Sequence, residues 1–260
     1  MNFNNRTLGM AAASLAGAAG IAASASGVTI SASDPFITIM ATNGSGTGTF
    51  TVALNDVAIF NDPDQDVFYW GTTGEVTIFN GLIPIATLVN MTVLSGRNTQ
   101  PDGEQRYGID IDFGVRAGLS NTTFTLISPT MSFGPLQNAR GLVSAGLVGT
   151  DQNTNGITVG PTGLNGFGFN AMFNGPLVFR SYFDQSMVNV ASGSVGAAGN
   201  MVPGGMFQPM GTVANMTTQF DFMVTAGDTA GGTTTYSVAP APTTLAIVGL
   251  SGLLLGRRRR

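Results

Sequence analysis

Arg106-Tyr107-Gly108-Ile109-Asp110-Ile111-Asp112-Phe113-Gly114-Val115-Arg116 sets Tyr107, Ile109, Ile111, Phe113 and Val115 on alternate positions, with polar residues and glycine between them. Successive side chains of a strand point to opposite faces, so this period of two predicts one buried face and one solvated face. Working outward, Phe50, Val52 and Leu54 repeat the pattern, as do Phe124 with Leu126, and Phe220, Phe222 and Val224. No comparable helical period runs through the chain. The nearest candidate, Gly141 to Val148, is short and rich in glycine, which costs about 1 kcal/mol relative to alanine inside a helix.

The segments between these runs carry turn chemistry. Asn43-Gly44, Asn80-Gly81, Asp102-Gly103, Asn155-Gly156, Asn165-Gly166 and Asn174-Gly175 are dipeptides suited to the positive φ that hairpin turns demand. Many short strands separated by such turns, with no helical interludes, predict an all-β body of the β-sandwich or jelly-roll kind. The Gly/Asn/Met-rich stretch from Ser192 to Gly211 reads as a long loop. Gly227 to Thr235, together with Ala239 to Pro242, reads as a stalk.

Composition removes much chemistry. The 260 residues contain no Cys and no His, and all ten basic residues are Arg. Serine and cysteine triads, thiolate or imidazole zinc sites, Schiff-base lysines and P-loop lysines are therefore excluded. Carboxylate acid/base work and oxygen-ligand metal binding are what remain. No catalytic residue, metal ligand or cofactor is assigned from the sequence.

Both ends read as addresses. Met1 to Arg6 opens with a positive charge, Leu8 to Ala22 is apolar, and Ala23-Ser24-Ala25 supplies small residues before a cut. This is the order of a secretory signal peptide, with signal peptidase cleaving after Ala25 and Ala23 as the other small residue. At the other end Pro240-Ala241-Pro242 precedes an apolar run from Leu245 to Leu255 and then Arg257, Arg258, Arg259 and Arg260. The 14 residues from Thr243 to Gly256 would cover about 21 Å as a helix, against a hydrocarbon core of about 30 Å. Such a segment spans only a thinned bilayer, and the arginines hold its end on the cytoplasmic side.

The last 22 or so residues resemble the PEP-CTERM sorting signal, which joins a Pro-Glu-Pro-like motif, a short hydrophobic helix and a terminal arginine cluster. Ala241 stands where that motif has glutamate, so this is a Pro-Ala-Pro variant. The resemblance implies an exosortase substrate of a Gram-negative bacterium that makes extracellular polysaccharide. It also implies that Pro240 and Pro242 mark the processing site and that Arg257 to Arg260 are the retention charge. Three segments follow: a signal peptide over 1–25, a β body over 26–238, and a sorting tail over 239–260.

With the ends set aside, the body holds five arginines against all fourteen acidic residues, a net charge of −9. Such a surface repels phosphate backbones, so nucleic acid is not an expected partner. The expected partners are signal peptidase, an exosortase-like sorting enzyme, the inner membrane through the tail, and extracellular polysaccharide. The expected role is non-catalytic, structural or adhesive, at the cell surface or in the biofilm matrix after transient membrane anchoring.

Two alternatives involve the body. Asp62-Pro63-Asp64-Gln65-Asp66 sets three carboxylates at alternate positions, as calcium loops begin, although Val67 and Thr73 break the EF-hand pattern. With Trp70 as a sugar-stacking platform, it suggests a glycan- or calcium-binding adhesion module. The second alternative is a carboxylate-only glycosidase drawn from Glu75, Glu104, Asp110 and Asp112, the two aspartates sharing the wet face of one strand. Gly163 to Gly168 has dinucleotide-loop spacing but no following helical period, so a Rossmann site is rejected.

Overall fold

The structure is a computed structural model that describes residues 24–25, 27–184, 188–201 and 205–241. The predicted signal core, Ala23, Pro242, the apolar tail and Arg257 to Arg260 lie outside the described residues. Strands come in quick succession: β1 (Ser24–Ala25), β2 (Val28–Ile30), β3 (Ile37–Asn43), β4 (Gly46–Val52), β5 (Ala58–Asp62) and β6 (Gln65–Gly71). Then follow β7 (Val76–Asn80), β8 (Ile83–Thr99), β9 (Gln105–Ala117), β10 (Thr122–Ile127), β11 (Met131–Thr150) and β12 (Ile157–Pro161). The rest are β13 (Phe169–Phe173), β14 (Leu177–Tyr182), β15 (Val188–Val190), β16 (Val195–Met201), β17 (Gln208–Val224) and β18 (Thr229–Ala239). Among the described residues there is no α-helix, only 3-10 turns at Leu54–Asp56 and Leu164–Gly166.

All strands belong to one continuous sheet, and every pairing is antiparallel. One half runs β5-β6-β8-β9-β18-β11-β16. The other runs β4-β3-β10-β17, with β13–β14 and β12–β15 beyond it. β11 joins the halves, because Met131 to Gly141 pair with β17 while Arg140 to Thr150 pair with β18. Three register shifts, between Ser132 and Arg140, accompany this change of partner, and such irregularities bend a strand and raise its twist.

The sheet curls over an aromatic core. Tyr107, Ile109, Ile111, Phe113 and Val115, the apolar set of β9, are all buried. Phe113 meets β17 from across the core, edge-on to Phe220 at 5.0 Å and stacked on Phe222 at 5.7 Å. Phe169 of β13 and Phe124 of β10 extend the cluster from the β17 side. Non-local pairing of this kind, not local propensity, holds the fold.

Five of the six expected turn dipeptides show the positive φ; Asn43-Gly44 does not, and its hairpin places that conformation at Gly46 instead. Gly81, Gly103, Gly156, Gly166 and Gly175 all have positive φ, and Asn165 and Asn174 share that conformation with the glycines after them. The expected stalk is not a stalk: Gly227 lies in a turn, and Thr229 to Ala239 form β18, held on both sides by β9 and β11. The ladders to β9 and β11 override the low local β propensity of its glycines. A Cβ on Gly232 would collide with the Phe113 ring, so this glycine makes room for a core side chain. The expected loop from Ser192 to Gly211 likewise contributes β16 and the start of β17.

Candidate functional site

Among the described residues, the point where the chain leaves the sheet is the one place where two arginines share a carboxylate. Ala239 ends β18, fully buried, paired with Arg140 of β11. The Arg140 Nε donates to the Pro240 carbonyl at 3.3 Å, so the first residue of the expected sorting motif is tied to the body. The Arg140 guanidinium also contacts the Glu104 carboxylate, which accepts from Arg106 Nε at 2.7 Å through its other oxygen. Both guanidiniums lie over the Phe207 ring, 5.2 Å and 4.9 Å from its centroid. Two arginines thus share one carboxylate and one ring, leaving a net positive charge beside the chain exit.

Sequence reading singled out Pro240 but not Arg140 or Phe207, and it took Glu104 for a different task. Arg140 lies 100 residues from Pro240 and Phe207 sits in glycine-rich sequence, so no local pattern could link them. Ala25, the expected last residue of the signal peptide, pairs with Val28 in the short β1–β2 ribbon.

The acidic candidates are dispersed. In the β5–β6 hairpin the Asp62 carboxylate accepts the Asp64 and Gln65 backbone N–H groups at 2.9 and 2.8 Å. Asp66 points inward and pairs with Arg97, Nε to Oδ2 at 2.9 Å, with side-chain exposures of only 3% and 7%. Two of the three carboxylates are thus engaged, and among the described residues no three metal-capable acidic side chains gather.

The glycosidase candidates fare similarly. Glu75 pairs with Arg116 at 2.9 Å and Glu104 serves the chain exit. Asp110 and Asp112 share a face, but only Asp112 is exposed. Asp110 is largely covered, and burial pushes its carboxyl up to about 6 despite a hydrogen bond from Thr235. One Asp110 oxygen, Oδ1, is buried with no hydrogen-bond partner. A second buried carboxyl, Asp221, is also raised by desolvation while bonded to Thr125 and Gln219. Trp70 is half-buried and tilted against Phe50, with ring centroids 5.9 Å apart.

No family model matches the chain, and no curated protein matches it either. Among solved structures the chain is similar to two of infectious bursal disease virus. The Gx strain structure is 9% identical with a TM-score of 0.29, covering 84% of this chain and 70% of that one. The Gt strain structure is 10% identical with a TM-score of 0.24, covering 82% and 75%. Likeness at that level carries no argument about activity.

Proposed function

We propose that this chain is a non-catalytic exported protein with a β-sandwich or jelly-roll-like body, sorted through its C-terminal tail to the cell envelope or the extracellular polysaccharide matrix. The carrying observation is the tail itself: Pro240-Ala241-Pro242, a short apolar run and four closing arginines, in that order. A signal-peptide-like start at the opposite end supports the same route. The curled antiparallel sheet fits a β-sandwich body. A chain without lysine, histidine or cysteine, with its glutamates in ion pairs, offers little for catalysis.

In this reading signal peptidase removes residues 1–25 and the tail holds the protein in the inner membrane until an exosortase-like enzyme acts near Pro240 and Pro242. The body is then displayed outside the cell, in a structural or adhesive role. The test compares the full chain with a variant ending at Ala239, each carrying a reporter inserted in an exposed turn such as Gly44-Ser45. Cell fractionation and mass analysis should find the two mature products at different locations and the full chain shortened. Identical destination and an unprocessed tail would sink the proposal.

A further inference from the structure

A groove of about 410 Å³ opens at one end of the sheet, between the entry to β12, the segment leaving β15 and the turn after β17. Its polar lining is Asn121, Asn155, Thr158, Asn189, Ser192 and Thr225, and the carboxylates of Asp151 and Asp228 lie directly behind it, bonded to the Gly156 N–H and the Thr225 hydroxyl. Side-chain amides and hydroxyls both donate and accept, which suits a ligand dense in hydroxyl groups. Val190 and Ala191 add an aliphatic patch against which the C–H face of a sugar ring can lie. Two carboxylates behind the wall of an already acidic chain favour an uncharged ligand over an anionic one.

The groove is built in advance. Asp151 accepts backbone N–H bonds from Asn153 at 3.1 Å, Gly156 at 3.0 Å and Gly193 at 2.6 Å, tying the loop before β12 to the one after β15. Buried Asp228 secures the third wall, accepting from the Gln152 N–H at 3.1 Å and the Thr225 hydroxyl at 2.6 Å. Thr154 is held at φ 65, an uncommon conformation for a β-branched residue, and its carbonyl accepts from the Ser192 hydroxyl. Backbone held in such a state, over-determined by its neighbours, is characteristic of binding loops. Meanwhile the side-chain amides of Asn155 and Asn189 make no hydrogen bond to the described residues.

We propose that this groove is a binding subsite for neutral saccharide units, with Asn155 and Asn189 as its principal hydrogen-bonding side chains. This deepens the proposed function and rests on it only for the source of the ligand, the polysaccharide matrix. Calorimetric titration of the full chain with short neutral gluco-, galacto- and manno-oligosaccharides should give saturable binding by at least one series. An Asn155→Ala/Asn189→Ala double variant should weaken that binding about tenfold or more, since two hydrogen bonds are removed. Asp151→Asn should weaken it too by loosening the walls, whereas Asn61→Ala, on the distant β5 strand, should bind as wild type. The proposal is overturned if no neutral series binds, if the double variant binds as well as wild type, or if uronic-acid oligomers bind more tightly than neutral ones. These titrations involve no export step, so failure here leaves the sorting proposal standing and failure of sorting leaves the titration readable.

Discussion

Arg97 of β8 and Asp66 of β6 face each other as a buried ion pair, Nε to Oδ2 at 2.9 Å, where the two strands run side by side. Removing one partner strands the other charge away from water, which typically costs about 3–5 kcal/mol. Arg97→Met should therefore lower the urea midpoint sharply. Replacing both with apolar residues, Asp66→Leu with Arg97→Met, should recover most of the loss. Equal stability for the single and double variants would contradict the pairing.

Asp110 sets a pH dependence. Burial raises its folded pKa to about 6, above the ordinary value near 4 of the unfolded chain, so the folded state binds more protons between those values. Its contribution to stability is thus fully present below about pH 4 and declines as pH rises through about 6. Asp110→Asn removes that decline and should be more stable than wild type at pH 7, by on the order of 2 kcal/mol. Parallel denaturant titrations at pH 4 and pH 7 measure this, and equal differences at the two values would refute it.

The aromatic core makes a third prediction. Phe220 touches Phe113 and Phe169 with centroids 5.0 and 4.7 Å away, fully buried. Phe220→Ala should cost about 3–5 kcal/mol, from lost burial and a cavity that the curled sheet closes only partly. Phe207→Ala, at a half-exposed ring, should cost far less. Chemical denaturation ranks the two.

The chain exit offers a fourth. With Arg140 bonded to its carbonyl, Pro240 is held against the sheet. Arg140→Gln should speed cleavage after Pro240 by a proline-specific endopeptidase several-fold without a matching drop in melting temperature. Mass analysis of the released tail reports the rate; an unchanged rate would show that the contact does not restrain the exit.

Much of the fold was legible because β9, β10 and β17 each bury alternate apolar residues, and because the Asn-Gly and Asp-Gly pairs fall in turns. β18 was not legible. Its Thr-Ala-Gly-Gly-Thr-Thr-Thr start has little hydropathy, and the purpose of Gly232 is visible only once Phe113 lies beside it. The partner change in β11 was only half legible: Gly134 to Asn138 interrupt the apolar alternation, but nothing local says which strand takes over beyond that break. Of the acidic candidates, sequence spacing placed Asp110 and Asp112 on one face but could not reveal that Asp110 is covered. It also could not show that Asp66 turns toward an arginine 31 residues away.

β18 occupies an interior place in the sheet yet comes near the end of the polypeptide. A nascent chain therefore carries β9 and β11 without the ladder that joins them until residues 229–239 have been made. Completion of the hydrogen-bonded network waits for that late segment, which makes closure of the sheet a long-range event that comes after most strands exist.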